Sequence, residues 1–204
     1  MIEGAKRIGI MGGTFDPIHL GHLRVAEIMR EEAQLDRVFF IPAAQPPHKA
    51  GEYVTSALHR LRMTHLATLS NPYFSVLDIE ARRKGPSYSY DTLRALSARY
   101  GAGTEFYFII GADELAILLS WHKIRDMLSL CHFLAAKRKG VDDSLKIIGE
   151  ALGEEAKQRV HLLDTAELEI SATDIRERIH KGKSIRYLVP PEVIAYIGKE
   201  GLYS

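Results

Sequence analysis

The sequence predicts an α/β fold: a doubly wound, largely parallel sheet with helices on both faces. Three observations predict it. Short apolar runs recur along the chain, among them Arg37–Pro42 and Glu105–Ile110, and read as buried strands. Stretches with apolar residues at helical spacing lie between them, and strands joined through helices run parallel by right-handed crossovers. No internal repeat, low-complexity segment or linker interrupts the 204 residues. The chain therefore reads as one domain, 1–204, with a C-terminal helical part (about 171–204) packed against it.

In order, residues 7–11 form the first strand, and Leu23, Val25, Ala26, Ile28 and Met29 give one face of the first helix. The second strand is Arg37–Pro42. A helix over 55–69 carries Leu58, Leu61, Leu66 and Leu69 at helical spacing, with Thr55 or Ser56 as its cap. Residues 73–77 form a third strand, 91–100 a helix capped by Asp91, and Glu105–Ile110 a strongly apolar strand. Helical stretches follow over 113–119 and Ile124–Leu130, then a strand over 132–136 and a helix over 144–152. A short strand over 159–163 and helices over 173–181 and 192–199 complete a Rossmann-like order. In such sheets ligands bind beyond the carboxyl ends of the strands.

Net charge is +1, so no strong basic field marks a general nucleic-acid binder, and anion handling must be local. The single cysteine, Cys131, cannot form an intrachain disulfide, and its neighbours Leu130, His132, Phe133 and Leu134 suggest a buried structural thiol. No apolar run before the first strand reads as a signal peptide, and no uncharged stretch approaches the roughly 20 residues of a membrane helix. The expectation is a cytoplasmic protein without a membrane partner. Oligomeric state, including a homo-oligomer, stays open.

The chain is organised around Gly12-Gly13-Thr14-Phe15-Asp16-Pro17-Ile18-His19-Leu20-Gly21-His22. A glycine pair at a strand's end, followed by a helix start, lets the backbone approach a ligand and aims free N–H groups at it. His19 and His22, three apart, can point from the helix's first turn at the same anion. Two glycines alone do not separate a phosphate site from an ordinary turn. The histidines could also be metal ligands, but a zinc site needs a third protein ligand, and no cluster of suitable spacing supplies one.

Each later candidate follows a strand. Ala43-Ala44-Gln45-Pro46-Pro47-His48-Lys49 is a proline-stiffened loop that ends in a cation. Arg82-Arg83-Lys84 reads as a solvated turn, followed by hydroxyls in Ser87-Tyr88-Ser89-Tyr90-Asp91-Thr92. Gly111-Ala112-Asp113 ends the apolar strand; Asp113 can cap a helix or accept a ribose hydroxyl. Trp121, the only tryptophan, is either core or a platform for a flat ring. Lys137-Arg138-Lys139-Gly140 follows the fifth strand. In Glu169-Ile170-Ser171-Ala172-Thr173-Asp174-Ile175-Arg176, Ser171 and Asp174 form a capping-box-like pair. A hydroxyl-rich helix start with an arginine one turn on is also an anion site.

The string from Gly12 to His22 resembles the signature of nucleotidyltransferases with an H-x-G-H motif, here His19-Leu20-Gly21-His22. With Gly-Gly-Thr-Phe-Asp-Pro in front it looks most like bacterial nicotinate mononucleotide adenylyltransferases, as do Pro46-Pro47-His48-Lys49, Ser87-Tyr88-Ser89, Gly111-Ala112-Asp113 with Trp121, and Ile170 to Arg176. Tyr187-Leu188-Val189-Pro190 and Gly201-Leu202-Tyr203 extend the resemblance to nearly the whole chain. Ser89 stands where the family has Thr, Ala172 where it has a second Ser, and Lys139 where it commonly has Pro.

The resemblance implies an enzyme of NAD biosynthesis that joins ATP to nicotinate mononucleotide. It implies catalytic roles for His19, His22 and Arg176. ATP would meet Gly12, Gly13, Thr14, Phe15, His19, Gly21, His22, Gly111, Asp113, Ile170, Ser171, Thr173 and Arg176. The mononucleotide would meet Asp16, Lys49, Ser89, Tyr90, Thr92, Trp121 and Arg138, with Trp121 stacked on the nicotinate ring. Mg²⁺ would arrive on ATP, with no dedicated protein cage. The other readings are a related adenylyl- or cytidylyltransferase, a metal-dependent hydrolase using His19 and His22, and a nucleotide sensor without turnover.

Overall fold

A computed structural model describes residues 6–46, 51, 53–83, 85–136, 141–165 and 168–204. Six strands form one sheet: β1 Arg7–Gly13, β2 Arg37–Pro42, β3 Phe74–Val76, β4 Glu105–Ile110, β5 Cys131–Ala136 and β6 Val160–Leu163. Their order is β3-β2-β1-β4-β5-β6, and every neighbouring pair is parallel. The chain winds outward from β1 to β3, returns to β4 and winds out the other way. That reversal opens a crevice beyond the carboxyl ends of β1 and β4.

The helices are α1 Leu20–Glu32, α2 Ala57–Thr68, α3 Ser89–Tyr100, α4 Ala112–Ala116, α5 Ile124–Leu130, α6 Val141–Leu152, α7 Glu154–Gln158, α8 Ala172–His180 and α9 Pro191–Glu200. Alternation along each strand sends side chains to two cores. Ile8, Ile10, Phe39, Phe106, Phe108 and Phe133 pack with Leu93 and Leu96 of α3 and with Met127 of α5. Met11, Val38, Phe40, Ile109 and Leu134 pack on the other face with Ala26 and Met29 of α1, Met63 of α2, Ile175 of α8, and Val193 and Ile197 of α9. No helix among the described residues is long and apolar enough to cross a membrane. Cys131 is 1% exposed, and burial pushes its thiol up, as expected of a structural cysteine.

Three local expectations are corrected. Helix α3 starts at Ser89 with Tyr88 as N-cap, so Asp91 lies in the first turn, where it complements the helix dipole instead of capping. Helix α2 has Ser56 as N-cap but does not bury its whole leucine row: Leu58 is 75% and Leu69 69% exposed, Leu66 is half-buried against the core, and Arg60, Met63, Thr64 and Ala67 face inward. The short α7 escapes periodicity because Ala156 is its one buried residue.

On the face shared with α1, side chains stack across four strands. The Arg7 guanidinium lies 4.7 Å over the Tyr107 ring. Tyr107 stacks on His132 and His132 on His161, each pair with centroids 5.1 Å apart. Arg159 Nη1 donates to His132 Nε2 (3.1 Å), so His132 Nδ1–H donates to His161 Nε2 (2.9 Å). Burial first, and the nearby arginines next, hold both imidazoles below their ordinary value of 6.5. The unfolded chain therefore binds more protons just below that value, and stability falls as pH drops through it. Melting temperatures at pH 7.5 and 5.5 are expected to show this loss, and the His132→Gln/His161→Gln double variant a shallower one. An equal slope in the double variant would contradict it.

Candidate active site

A cleft of about 800 Å³ opens at the crevice beyond β1 and β4. That is large for a ligand pocket (about 300–1,000 Å³) and suits two nucleotides side by side. Its floor is the turn after β1. Gly12, Gly13, Thr14, Phe15, Asp16, His19, Gly21 and His22 all line it, as do Ser89, Gly111, Trp121, Ile170 and Arg176. The N-terminus of α1 meets the cleft at Gly21 and that of α8 at Ala172. Two helix dipoles thus present their positive ends to one space.

His19 is the N-cap of α1. Its backbone N–H donates to His22 Nδ1 (3.2 Å), which places the His22 proton on Nε2. The two rings stack at 3.6 Å and 28°, and Phe15 meets His22 edge-on at 5.1 Å. A Cβ on Gly21 would sit 3.0 Å from His19 Nδ1 and 3.1 Å from Cε1, so the glycine makes room for that ring. His19 Nδ1 is buried and has no partner among the described residues. Burial lowers the His19 imidazole to about 4, and burial together with the His19 charge lowers His22 well below 6.5. At neutral pH both rings are uncharged in the free protein and act as hydrogen-bond donors. Among the described residues lining the cleft, the fixed positive groups are Arg176 and the helix ends.

Arg176 Nη1 donates to the Asp16 carbonyl (2.7 Å) and Nη2 to Thr173 Oγ1 (3.2 Å). Ser171 caps α8 by accepting from the Asp174 N–H (3.4 Å). No return bond from Asp174 is found among the described residues, so the expected reciprocal box has one arm. Trp121 lies between core and cleft. Its ring packs edge-on against Phe108 and Phe133 at 5.6 and 6.1 Å, and it also lines the cleft.

Several expected residues are engaged elsewhere or lie off the cleft wall. The Asp16 carboxylate is already engaged: Oδ2 accepts from the Thr55 N–H (3.1 Å) and Oδ1 from the Tyr203 hydroxyl (2.6 Å). Thr92 is 1% exposed and gives its hydroxyl to Glu80 Oε1 (2.7 Å). Tyr90 turns its ring toward Lys123, whose Nζ is 4.7 Å from the centroid. Asp113 lies in the first turn of α4, and its neighbour Glu114 lines the cleft instead. Ser171 and Thr173 stand just behind Ala172 and Ile170 at the wall. Lys49 and Arg138 lie outside the described residues, as do His48 and Lys139.

The cleft also contains residues that motif reading missed. Glu80 lines it at 5% exposure, and burial raises its carboxyl against the pull of Thr92 and Arg83. Tyr88 and His122 also line the cleft, their rings tilted by 30° with centroids 4.4 Å apart. Ile117 and Leu168 supply an apolar rim. Tyr88 and His122 adjoin Ser89 and Trp121 in the sequence, which was the available signal for them; Glu80 had none.

A parallel sheet of this order, with a glycine turn and two helix N-termini at its carboxyl edge, defines a nucleotide-handling α/β protein. The chain belongs to the cytidylyltransferase-like family, whose model matches residues 10–178. A Thermoanaerobacter sp. (strain X514) protein named "probable nicotinate-nucleotide adenylyltransferase" is 45% identical over 99% of this chain and 96% of its own. A protein of the same name from Desulfitobacterium hafniense (strain Y51) is 48% identical over 97% and 96%. The solved Plasmodium falciparum nicotinic acid mononucleotide adenylyltransferase complexed with NaAD has the same fold, with a TM-score of 0.79 over 97% of each chain at 21% identity.

Proposed function

We infer that this enzyme joins ATP and nicotinate mononucleotide to give nicotinate adenine dinucleotide and pyrophosphate, a step of NAD biosynthesis. The observation that carries the chemistry is the stacked His19–His22 pair, set between two helix N-termini and Arg176 on the floor of one cleft. We take residues 1–204 as one catalytic unit in the cytoplasm, with Mg²⁺ entering as the ion of the ATP substrate.

In this reading a phosphate oxygen of the mononucleotide attacks the α-phosphorus of ATP. The new P–O bond forms as the bond to the β-phosphate bridging oxygen breaks, and pyrophosphate leaves. A phosphate monoester has its second pKa near about 6, so the attacking group is already largely dianionic and needs no general base. Catalysis is then positioning and charge stabilisation. His19 and His22 donate to the α-phosphoryl oxygens, the Gly12–Gly13 backbone lets the triphosphate approach, and Arg176 holds the leaving pyrophosphate with help from Ser171 and Thr173. Ser89, Trp121, Lys49 and Arg138 take the mononucleotide.

Pyrophosphate release from Mg–ATP, with nicotinate and nicotinamide mononucleotides offered side by side, tests this. Release with the acid and a dinucleotide product is expected; release with the amide alone, or none, would overturn it. Trp121→Ala is expected to raise KM for the mononucleotide about tenfold, since stacking on an aromatic is worth about 1–3 kcal/mol. KM for ATP should stay within about twofold. Equal rises in both would remove Trp121 as the ring platform.

A further inference from the structure

Among the described residues Arg60 is the largest fully buried side chain, at 1% exposure, and it makes no direct bond to a carboxylate there. Its planar fork instead reaches the carbonyls of three segments: Nε donates to Thr55 (2.7 Å), Nη1 to Thr14 (2.7 Å) and Nη2 to Ala44 (3.2 Å). Burial works against the cation, and the Asp16 carboxylate favours it from a distance. A buried cation is costly unless its donors are used. Three loop carbonyls that no strand pairs are equally costly to leave bare. Each solves the other's problem.

Two of those segments are walls of the cleft. Thr14 belongs to the turn after β1, while Ala43 and Pro46 flank Ala44 in the segment after β2, beside that turn: the Ala43 N–H donates to the Gly13 carbonyl (2.9 Å). Ala44 also gives its N–H to Ser87 Oγ (3.0 Å), and Gln45 does the same (3.1 Å), so the segment that begins α3 hangs from the same point. Arg60 itself does not line the cleft. We propose that Arg60 is a positioning residue that fixes the turn after β1, on the ATP side, against the segment after β2 and, through Ser87, the start of α3, on the mononucleotide side. This rests on the two-substrate reading above. Lysine, a point charge without the fork, cannot hold three diverging carbonyls.

A misplacement of about 1 Å between reacting groups costs on the order of 10²-fold. Arg60→Lys is therefore expected to lower kcat at least tenfold while each KM moves less than about threefold. Millimolar methylguanidinium should restore turnover in Arg60→Ala. A folded Arg60→Lys protein with unaltered kcat would overturn the proposal, and so would kcat loss that tracks only the unfolded fraction. Should no variant at 60 fold, ¹⁵N-arginine NMR on the unaltered protein decides. The Arg60 Nη signals are expected to be split by restricted rotation and to shift when ATP, and then the mononucleotide, binds; signals that stay still at saturation overturn it. An unaltered protein that releases no pyrophosphate in the parallel control would instead count against the reaction, and the NMR response to ATP alone would still judge Arg60.

Discussion

His22→Ala folds normally and loses about 10²–10³-fold in kcat, with KM for either substrate changed only a few-fold. The magnitude follows from what the ring does. Its Nδ1 is committed to the His19 N–H, which leaves Nε2–H as a neutral donor fixed by stacking on His19 and by the edge of Phe15. A preorganised donor aimed at developing charge is worth about 2.7–4 kcal/mol. Because the ring is uncharged in the free protein, its contribution grows mainly as charge builds on the α-phosphoryl group, so turnover suffers more than binding. His22→Gln, which can place an amide N–H near the lost Nε2, should recover part of the rate. Steady-state kcat with both substrates saturating is the measurement, and a folded His22→Ala protein with full kcat would contradict the role.

Arg176→Ala is expected to lower kcat/KM for ATP on the order of 10³-fold, by analogy with other arginines that stabilise transferring phosphoryl groups. Two effects combine. The cleft loses its arginine cation beside the α8 N-terminus, and the Asp16 carbonyl loses its 2.7 Å donor, which loosens the turn carrying His19. Arg176→Lys keeps the charge but not the two divergent bonds to Asp16 and Thr173, so it should recover only part. Mononucleotide binding should survive within a few-fold. Trp121, as the sole tryptophan, gives that binding a fluorescence readout. If Arg176→Ala weakened the mononucleotide as much as ATP, the assignment of Arg176 to the triphosphate would fail.

What could be read in advance divides along physical lines. The strands were legible because buried parallel strands are continuous apolar runs such as Phe106 to Ile110. The phosphate turn was legible because glycines, histidines and a helix start are local features. What escaped was set by tertiary contact. Nothing local says that α2 should turn Arg60 inward and Leu58 outward; that choice follows from three bare carbonyls 5, 16 and 46 residues away. The same holds for Asp16, whose carboxylate is taken by Tyr203, 187 residues along the chain. Thr92 was placed at the ligand by its motif, yet its hydroxyl serves Glu80. The charge state of the histidines also needed the fold, because burial, and for His22 the neighbouring His19 as well, holds both rings neutral.

Direct attack within one cleft, with no covalent enzyme intermediate, is the centre of this mechanism. The stereochemical course at the α-phosphorus tests it most directly. With ATP carrying a chiral α-thiophosphate and nicotinate mononucleotide as acceptor, a single in-line displacement gives a dinucleotide with inverted configuration. Inversion is the expected result. Retention would mean two displacements, with the adenylyl group passing through a side chain such as His19 or His22, and would contradict the donor role assigned to that pair.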